Sequence, residues 1–284
     1  MSDRAEIFEV GPRDGLQNEA RAIPVAEKVA LVDLLSGAGF RRIECASFVS
    51  PKWVPQMAGS AEVLAGITRV PGLSYAALTP NMKGFEAALA AQADEIAIFG
   101  SASEGFSRAN INASIAESLD RFAPVAEAAR AAGLPMRGYV SCVVDCPYDG
   151  AVPPADVARV AAALRDLGCY EISLGETLGR ATPEAVRAMI SAVLAEVPAD
   201  RLAGHFHDTS GRALENVEVA VGLGLRVFDA AIGGLGGCPY APGAAGNVAT
   251  GAVRARLEEM GLATGLDADI LARAATMAQA MRAG

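Results

Sequence analysis

Residues Leu202–Ile232 read LAGHFHDTSGRALENVEVAVGLGLRVFDAAI, in which two short apolar runs enclose a helical pattern. The runs Leu202–His207 and Val227–Ile232 have the length of buried strands. Between them, Arg212–Leu223 is typical of a helix. A strand, a helix and a second strand within about 30 residues form the unit from which parallel sheets are built. The segment therefore predicts two parallel strands joined by a helix.

The same alternation runs through the whole chain. The apolar runs predict eight strands, which begin about 21 to 41 residues apart: Ile7–Val10, Arg42–Phe48, Ser74–Leu78, Glu95–Phe99, Met136–Val143, Tyr170–Leu174, Leu202–His207 and Val227–Ile232. Further helical patterns lie at Val25–Ala38, Ile115–Ala132, Ala155–Leu167 and Pro183–Val197. Unbroken alternation favours the α/β class and a closed (β/α)8 TIM barrel. A Rossmann domain is disfavoured because no GxGxxG sequence follows the first strand.

One domain is expected over residues 1–284, since no linker or Pro/Ser-rich hinge interrupts the pattern. We expect the barrel to occupy about residues 5–255. The remaining residues, about 256–284, predict a short C-terminal helical extension with a turn near Gly261–Gly265.

The composition excludes several classes of protein. With 52% hydrophobic and 20% charged residues the chain is typical of a globular protein. A formal charge of -9 repels phosphate backbones and disfavours nucleic acid as a partner. No run of about 20 apolar residues predicts a membrane span, and residues Met1–Val10 hold no apolar core of signal-peptide length. The odd number of cysteines, five, indicates free thiols and a cytoplasmic setting.

The strongest local signal for a site is Gly204–Asp208 (GHFHD), which holds both histidines of the chain. Positions i and i+2 of a strand face the same way, so His205 and His207 are expected at the barrel mouth. Such a pair is half of a metal site, and Asp14, after the first strand, is the best third ligand. Nitrogen and oxygen ligands favour Mg²⁺ or Mn²⁺, with Zn²⁺ left open. A pair of hydrogen-bonded structural histidines is the alternative.

Other polar residues fall at the same predicted end of the barrel. Arg13 lies beside Asp14 and could stabilise negative charge on a substrate oxygen. Cys238 lies in a glycine-rich loop, where a thiol can act as an acid or a base. Asn247 ends that loop and could offer an amide oxygen to a metal. Glu44 and Glu176 lie on the second strand and after the sixth.

Several segments resemble those of 3-hydroxy-3-methylglutaryl-CoA (HMG-CoA) lyases, within the DRE-TIM metallolyases. They are Val10–Glu19 (VGPRDGLQNE), Ser47–Met57 (SFVSPKWVPQM), Pro80–Ala88 (PNMKGFEAA), Gly138–Gly150 (GYVSCVVDCPYDG), Tyr170–Thr177 (YEISLGET), Gly204–Thr209 (GHFHDT) and Gly234–Thr250 (GLGGCPYAPGAAGNVAT). The GLGGCPY core is highly specific, whereas HxHD also occurs in related Claisen-condensing enzymes. The resemblance covers about residues 5–265.

The resemblance implies a lyase that cleaves HMG-CoA to acetyl-CoA and acetoacetate, in leucine degradation and ketone-body formation, as a homo-oligomer and specifically a dimer. It implies roles for eight side chains: the cation is held by Asp14, His205, His207 and Asn247, while Arg13 stabilises the enolate, Cys238 lies on the catalytic loop, and Glu44 and Glu176 complete the site. Either Cys238 or His205 protonates the product carbon.

Three readings remain beside this one. The first is a sister lyase with another acyl-CoA substrate. Many relatives have Asp where this chain has Glu176, and the longer acid near Arg180 could suit the shorter citramalyl-CoA. A longer 3-hydroxy-3-alkylglutaryl-CoA is the other possible substrate of such a lyase. A synthase is disfavoured because the sequence after the barrel is short, and a non-catalytic barrel because the site residues are all present. Coenzyme A contacts are expected from Lys52, Asn81 and Lys83.

Overall fold

The computed structural model describes residues 3–238 and 241–283, without the side chains of residues 237–238, 241–245 and 283. Its centre is a closed barrel of eight strands: β1 (Glu6–Glu9), β2 (Arg42–Ser47), β3 (Ser74–Leu78), β4 (Glu95–Ser101), β5 (Met136–Ser141), β6 (Ile172–Glu176), β7 (Leu202–Phe206) and β8 (Val227–Ala230). All neighbours are parallel and follow chain order, and β8 closes the barrel on β1. The predicted (β/α)8 TIM barrel is confirmed.

Helices cover the outside of the barrel. They are α1 (Val25–Ser36), α2 (Ser60–Gly66), α3 (Met82–Ala90), α4 (Glu104–Ile111), α5 (Ile115–Ala132), α6 (Pro154–Leu167), α7 (Pro183–Val193), α8 (Ala213–Gly222), α9 (Thr250–Glu259) and α10 (Ala268–Ala283). The apolar core lies between this layer and the strands. None of the described helices has both the length and the apolar character that crossing a membrane requires.

Local signals set the helix ends. The Ser114 hydroxyl accepts a hydrogen bond from the Glu117 amide, and the Glu117 carboxylate accepts one from the Ser114 amide, which forms a capping box before α5. Gly133 ends α5 in the left-handed conformation. Three helices that the sequence pattern did not predict, α2, α3 and α4, have seven to nine residues. They are too short for a clear amphipathic period.

One strand boundary differs from its prediction in a way that matters for the site. β6 begins at Ile172 rather than Tyr170 and ends at Glu176, because its ladder pairs with β7 from Ile172–Leu202 to Glu176–Phe206. Tyr170 and Glu171 precede this ladder, and their side chains bind Arg42, at 2.6 and 3.0 Å. Glu176 is consequently the last residue of the strand and not part of the following loop.

The barrel interior is ionic at its centre. Arg137 on β5 is fully buried and donates two hydrogen bonds to Asp229 on β8, at 2.7 and 3.1 Å, and one to Glu171 at 2.6 Å. The ring of Phe8 lies 4.4 Å from the Arg137 guanidinium carbon. Such charges are tolerated inside a protein only when each has its partner. Strands β1, β5 and β8 are thus tied together across the barrel.

Replacing Arg137 by Met should destabilise the protein by about 3–5 kcal/mol, because Asp229 would stay buried without its cation. Urea denaturation followed by circular dichroism measures the change. Arg159→Met is the control, since Arg159 and Asp156 form an exposed pair at 3.2 Å and should leave the midpoint unchanged. Equal midpoints for the two variants would contradict the prediction.

Candidate active site

Three side chains from opposite ends of the chain meet at the mouth of the barrel. One ligand atom from each of Asp14, His205 and His207 lies within 4.8 Å of the others. Nε2 of His205 is 4.0 Å from Oδ2 of Asp14, and the two imidazole centroids are 5.4 Å apart. Because β8 pairs with β1 on one side and with β7 on the other, the turn after β1 lies near the end of β7. The convergence expected from the sequence is present.

The turn Gly11–Gly15 presents Arg13 and Asp14 together. The residues form one π-helical turn, in which three amides point at the carbonyl of Val10. Arg13 Nη1 therefore donates to Asp14 Oδ1 at 2.7 Å. Burial acts to raise the pKa of Asp14, but Arg13 and the histidines hold it at about 2. The carboxylate is ionised and available as a ligand at neutral pH.

His205 is oriented by a carboxylate that the sequence reasoning missed. Its Nδ1 lies 3.1 Å from Oδ2 of Asp229, which also accepts hydrogen bonds from Arg137 and from Ser173 at 2.7 Å. Burial acts to lower the pKa of His205, yet Asp229 and Asp14 raise it overall. With Nδ1 engaged, Nε2 faces Asp14, an arrangement common for histidine ligands of metals. The available signal was an aspartate inside an apolar strand (Val-Phe-Asp-Ala, 227–230).

The surroundings of His207 show that the site fits a metal ion. Its Nδ1 is buried and has no hydrogen-bond partner among the described residues. Burial and the charge of His205 lower the pKa of His207 to about 4, so the ring is neutral and keeps a lone pair. A buried polar atom without a partner requires an explanation, and a cation shared with Asp14 and His205 supplies one. The residues present fit a divalent ion.

Asn247 lies against this group of side chains. Its backbone forms an antiparallel bridge with His207, and its Nδ2 donates to Asp14 Oδ2 at 2.8 Å and to Leu235 O at 3.4 Å. In this orientation the amide nitrogen faces Asp14. Use of the amide oxygen as a ligand requires a turn of the amide, which exchanges its two ends. The role of Asn247 as a metal ligand stays a prediction.

Glu44 contacts Arg13 and lies outside the group of possible ligands. Arg13 Nε donates to Glu44 Oε2 at 2.7 Å, Arg13 Nη2 lies 2.5 Å from the same oxygen, and Tyr139 donates to it at 3.0 Å. Burial raises the pKa of Glu44, although Arg13 opposes the shift. Burial acts to lower the pKa of Arg13, but Glu44 and Asp14 raise it, so the guanidinium stays charged. Glu44 thus fixes the position of the Arg13 guanidinium.

Glu176 is buried and holds its own loop. Oε1 accepts a hydrogen bond from the Arg180 amide at 3.3 Å, while Oε2 is buried without a partner in the described part of the chain. Burial raises the pKa of Glu176, against the backbone amides of residues 178–181, which lower it. The carboxylate therefore orders the loop between β6 and α7, and Arg180 contributes a backbone group to that contact.

The remaining candidate residues are Lys52, Lys83, Asn81 and Cys238. Lys52 is exposed on the loop that follows β2, and Lys83 is exposed in the first turn of α3. The Asn81 side chain accepts a hydrogen bond from the Gly84 amide at 3.0 Å and caps α3. The backbone of Gly237–Cys238 pairs antiparallel with Ala241–Ala245, but the side chain of Cys238 lies outside the described residues.

Asp14→Asn and His207→Ala should each weaken Mn²⁺ binding by at least about tenfold, and Asp229→Asn by about 10- to 100-fold, through the misorientation of His205. Electron paramagnetic resonance titration of metal-stripped protein measures this. The control is Asp208→Asn, which neighbours His207 and whose side-chain oxygen can still accept from the Ala213 amide. Mn²⁺ affinities equal to wild type in all three variants would rule out this site.

Comparison with known proteins agrees with the geometry. The HMGL-like family model matches residues 4–278. A Pseudomonas aeruginosa protein named 3-hydroxy-3-isohexenylglutaryl-CoA/hydroxy-methylglutaryl-CoA lyase is 58% identical over 267 residues, which cover 94% of this chain and 89% of the relative. The mitochondrial hydroxymethylglutaryl-CoA lyase of Gallus gallus is 55% identical over 264 residues, which cover 93% of this chain and 89% of the relative. The crystal structure of an HMG-CoA lyase from Brucella melitensis has a TM-score of 0.99 and 61% identity, and the match covers 100% of both chains. The chain therefore belongs to the HMGL-like family, within the DRE-TIM superfamily.

Proposed function

We propose that this protein is a carbon–carbon lyase that uses a divalent cation to cleave HMG-CoA into acetyl-CoA and acetoacetate. The observation that carries the proposal is the meeting of Asp14, His205 and His207 beside the buried guanidinium of Arg13. The names of the close relatives support the substrate. Nitrogen and oxygen donors without a thiolate favour Mg²⁺ or Mn²⁺ as the ion.

The reaction breaks one carbon–carbon bond without an external oxidant or reductant. The tertiary hydroxyl loses its proton, its oxygen becomes the ketone of acetoacetate, and the electron pair of the broken bond passes to acetyl-CoA as its enolate. A proton then adds to the enolate carbon. Asp14, His205 and His207, with Asn247, would hold a cation that acidifies the hydroxyl and polarises the forming ketone.

Arg13 is suited to stabilise the enolate. Its contacts with Glu44 and Asp14 fix the guanidinium and keep it charged, while further N–H groups of the fork remain for a substrate oxygen. A fixed cation in a water-poor site stabilises developing negative charge without reorganising. The ring of Tyr139 lies 5.5 Å from the same guanidinium carbon and closes one side of it. The proton donor, Cys238 or His205, stays a prediction.

Purified protein with Mn²⁺ should release equal amounts of acetyl-CoA and acetoacetate from HMG-CoA, and chelation should abolish the reaction reversibly. Coupled assays for acetyl-CoA, acetoacetate and pyruvate measure this. The second substrate to be assayed is 3-hydroxy-3-isohexenylglutaryl-CoA, which appears in the name of the Pseudomonas aeruginosa relative. Citramalyl-CoA is the third, and faster release of pyruvate than of acetoacetate would favour that alternative. No turnover of any of the three would overturn the proposed function.

Arg13→Met should lower kcat by at least about 10²- to 10³-fold, because the enolate loses its fixed cation. Steady-state kinetics on HMG-CoA gives the rate, and KM should change far less. Arg13→Lys keeps the charge but loses the planar fork, so it should recover only part of the activity. If Arg13→Met retained kcat within about threefold, Arg13 would not stabilise the transition state.

Other features expected from the sequence are part of the proposal. They include a homodimer, a cytoplasmic location, a role in leucine degradation and ketone-body formation, and coenzyme A contacts by Lys52, Asn81 and Lys83. Four buried cysteines with free thiols, Cys45, Cys142, Cys146 and Cys169, support a reducing compartment.

A further inference from the structure

Glu9, the last residue of β1, connects three segments of the chain that are distant in sequence. Its side chain is fully buried. Oε1 accepts hydrogen bonds from the amides of Gly11 and Ile232, both at 2.8 Å, and Oε2 accepts one from the Thr250 hydroxyl at 2.6 Å. One carboxylate thus satisfies donors from the turn after β1, the segment after β8 and the start of α9.

Each of these segments carries a part of the site. Gly11 opens the turn that holds Arg13 and Asp14. Ile232 opens the segment 232–236, which leads to Cys238. Thr250 follows Asn247 by three residues. Glu9 is therefore the common anchor of groups that must keep fixed relative positions, although it is not one of the possible metal ligands.

The turn and the segment 232–236 are in direct contact above this anchor. A Cβ atom added to Gly11 would lie 2.6 Å from Glu9 Oε1 and 3.0 Å from the Ile232 nitrogen. One added to Gly15 would lie 2.6 Å from the Leu235 Cβ. At the mouth, Asn247 Nδ2 bonds to both Asp14 and Leu235. The segments are thus joined at one end by Glu9 and at the mouth by Asn247, and between them the two glycines leave no room for a side chain of their own.

We propose that Glu9 is a positioning residue for the lyase reaction, whose carboxylate holds Arg13, Asp14 and Asn247 in their relative places. The expected effect of Glu9 on kcat rests on the proposed function. Its expected effect on the order of the two segments does not depend on the substrate. Release of the carboxylate should loosen the two segments against each other, and a misplacement of about 1 Å at a reacting group can cost about 100-fold in rate.

Three variants separate positioning from general stability. Glu9→Ala removes all three contacts. Glu9→Gln keeps an oxygen for the two amides and offers an NH₂ to the Thr250 oxygen. Burial raises the pKa of Glu9 to about 7, so a neutral side chain is a reasonable replacement there. Thr250→Val removes one contact and keeps the shape of the side chain. The matched control is Glu95→Ala, which removes a buried carboxylate at the opposite end of the barrel, where it binds Tyr170 and Ser74.

The readouts are hydrogen exchange of residues 11–15 and 232–236, Mn²⁺ affinity, thermal midpoint, and kcat and KM on HMG-CoA. In Glu9→Ala we expect faster exchange in both segments, a kcat lower by about 10- to 100-fold with KM nearly unchanged, and Mn²⁺ affinity lower by about tenfold. Glu9→Gln should restore kcat to within about threefold. Thr250→Val should show a smaller loss in the same direction. Glu95→Ala should lower the thermal midpoint and leave exchange in these segments and kcat unchanged.

Wild-type exchange and kcat in Glu9→Ala would overturn the proposal. So would an equal loss of kcat in Glu95→Ala at the same loss of thermal midpoint. If Glu9→Ala does not fold, Thr250→Val carries the test, and wild-type values there would overturn the proposal as well. If the protein cleaves none of the thioesters, exchange and Mn²⁺ affinity still decide the role of Glu9, so its failure is distinguishable from failure of the proposed function.

Discussion

The buried ion pair between Arg137 and Asp229 is the interaction on which both the barrel and its site depend. Arg137 is placed in the barrel centre by β5, and Asp229 by β8, and neither charge could stay there without the other. Oδ2 of Asp229, which also accepts a hydrogen bond from Arg137, then fixes the imidazole of His205. An ionic contact in the interior therefore sets the direction of a side chain at the mouth, and the orientation of His205 depends on the correct assembly of distant strands.

Closure of the barrel is the second requirement. Asp14 follows the first strand and His205 lies on the seventh, and they meet because β8 pairs with β1 on one side and with β7 on the other. An open sheet with the same strands would leave the two ligands at separate edges. Glu9 reinforces this seam, since its hydrogen bonds join the turn after β1 to residues near both ends of the segment 232–250. The site is therefore built along the seam where the first and last strands meet.

Most elements could be predicted from local patterns. The βαβ alternation located all eight strands, and the helical pattern Ile115–Ala132 predicted α5 with its observed limits. Short helices such as α3 were missed because nine residues show too little periodicity. The π-helical form of the turn at Gly11–Gly15 was not predicted, because it depends on three amides that share the Val10 carbonyl, which no local propensity reveals. Glu44 and Glu176 were expected from family resemblance to complete the site, and their observed contacts are with Arg13 and with a loop backbone.

The sequence by itself determined the alternation of strands and helices, the common face of His205 and His207, and the place of Asp14 after the first strand. These follow from periodicity and from neighbours along the chain. Only the tertiary structure decided that Asp229 orients His205 and that Glu9 joins three segments of the site. The physical reason is that these polar contacts link strands and loops up to 241 residues apart. Such contacts exist only after barrel closure has removed the groups from water, where a buried donor or acceptor must find its partner inside the protein.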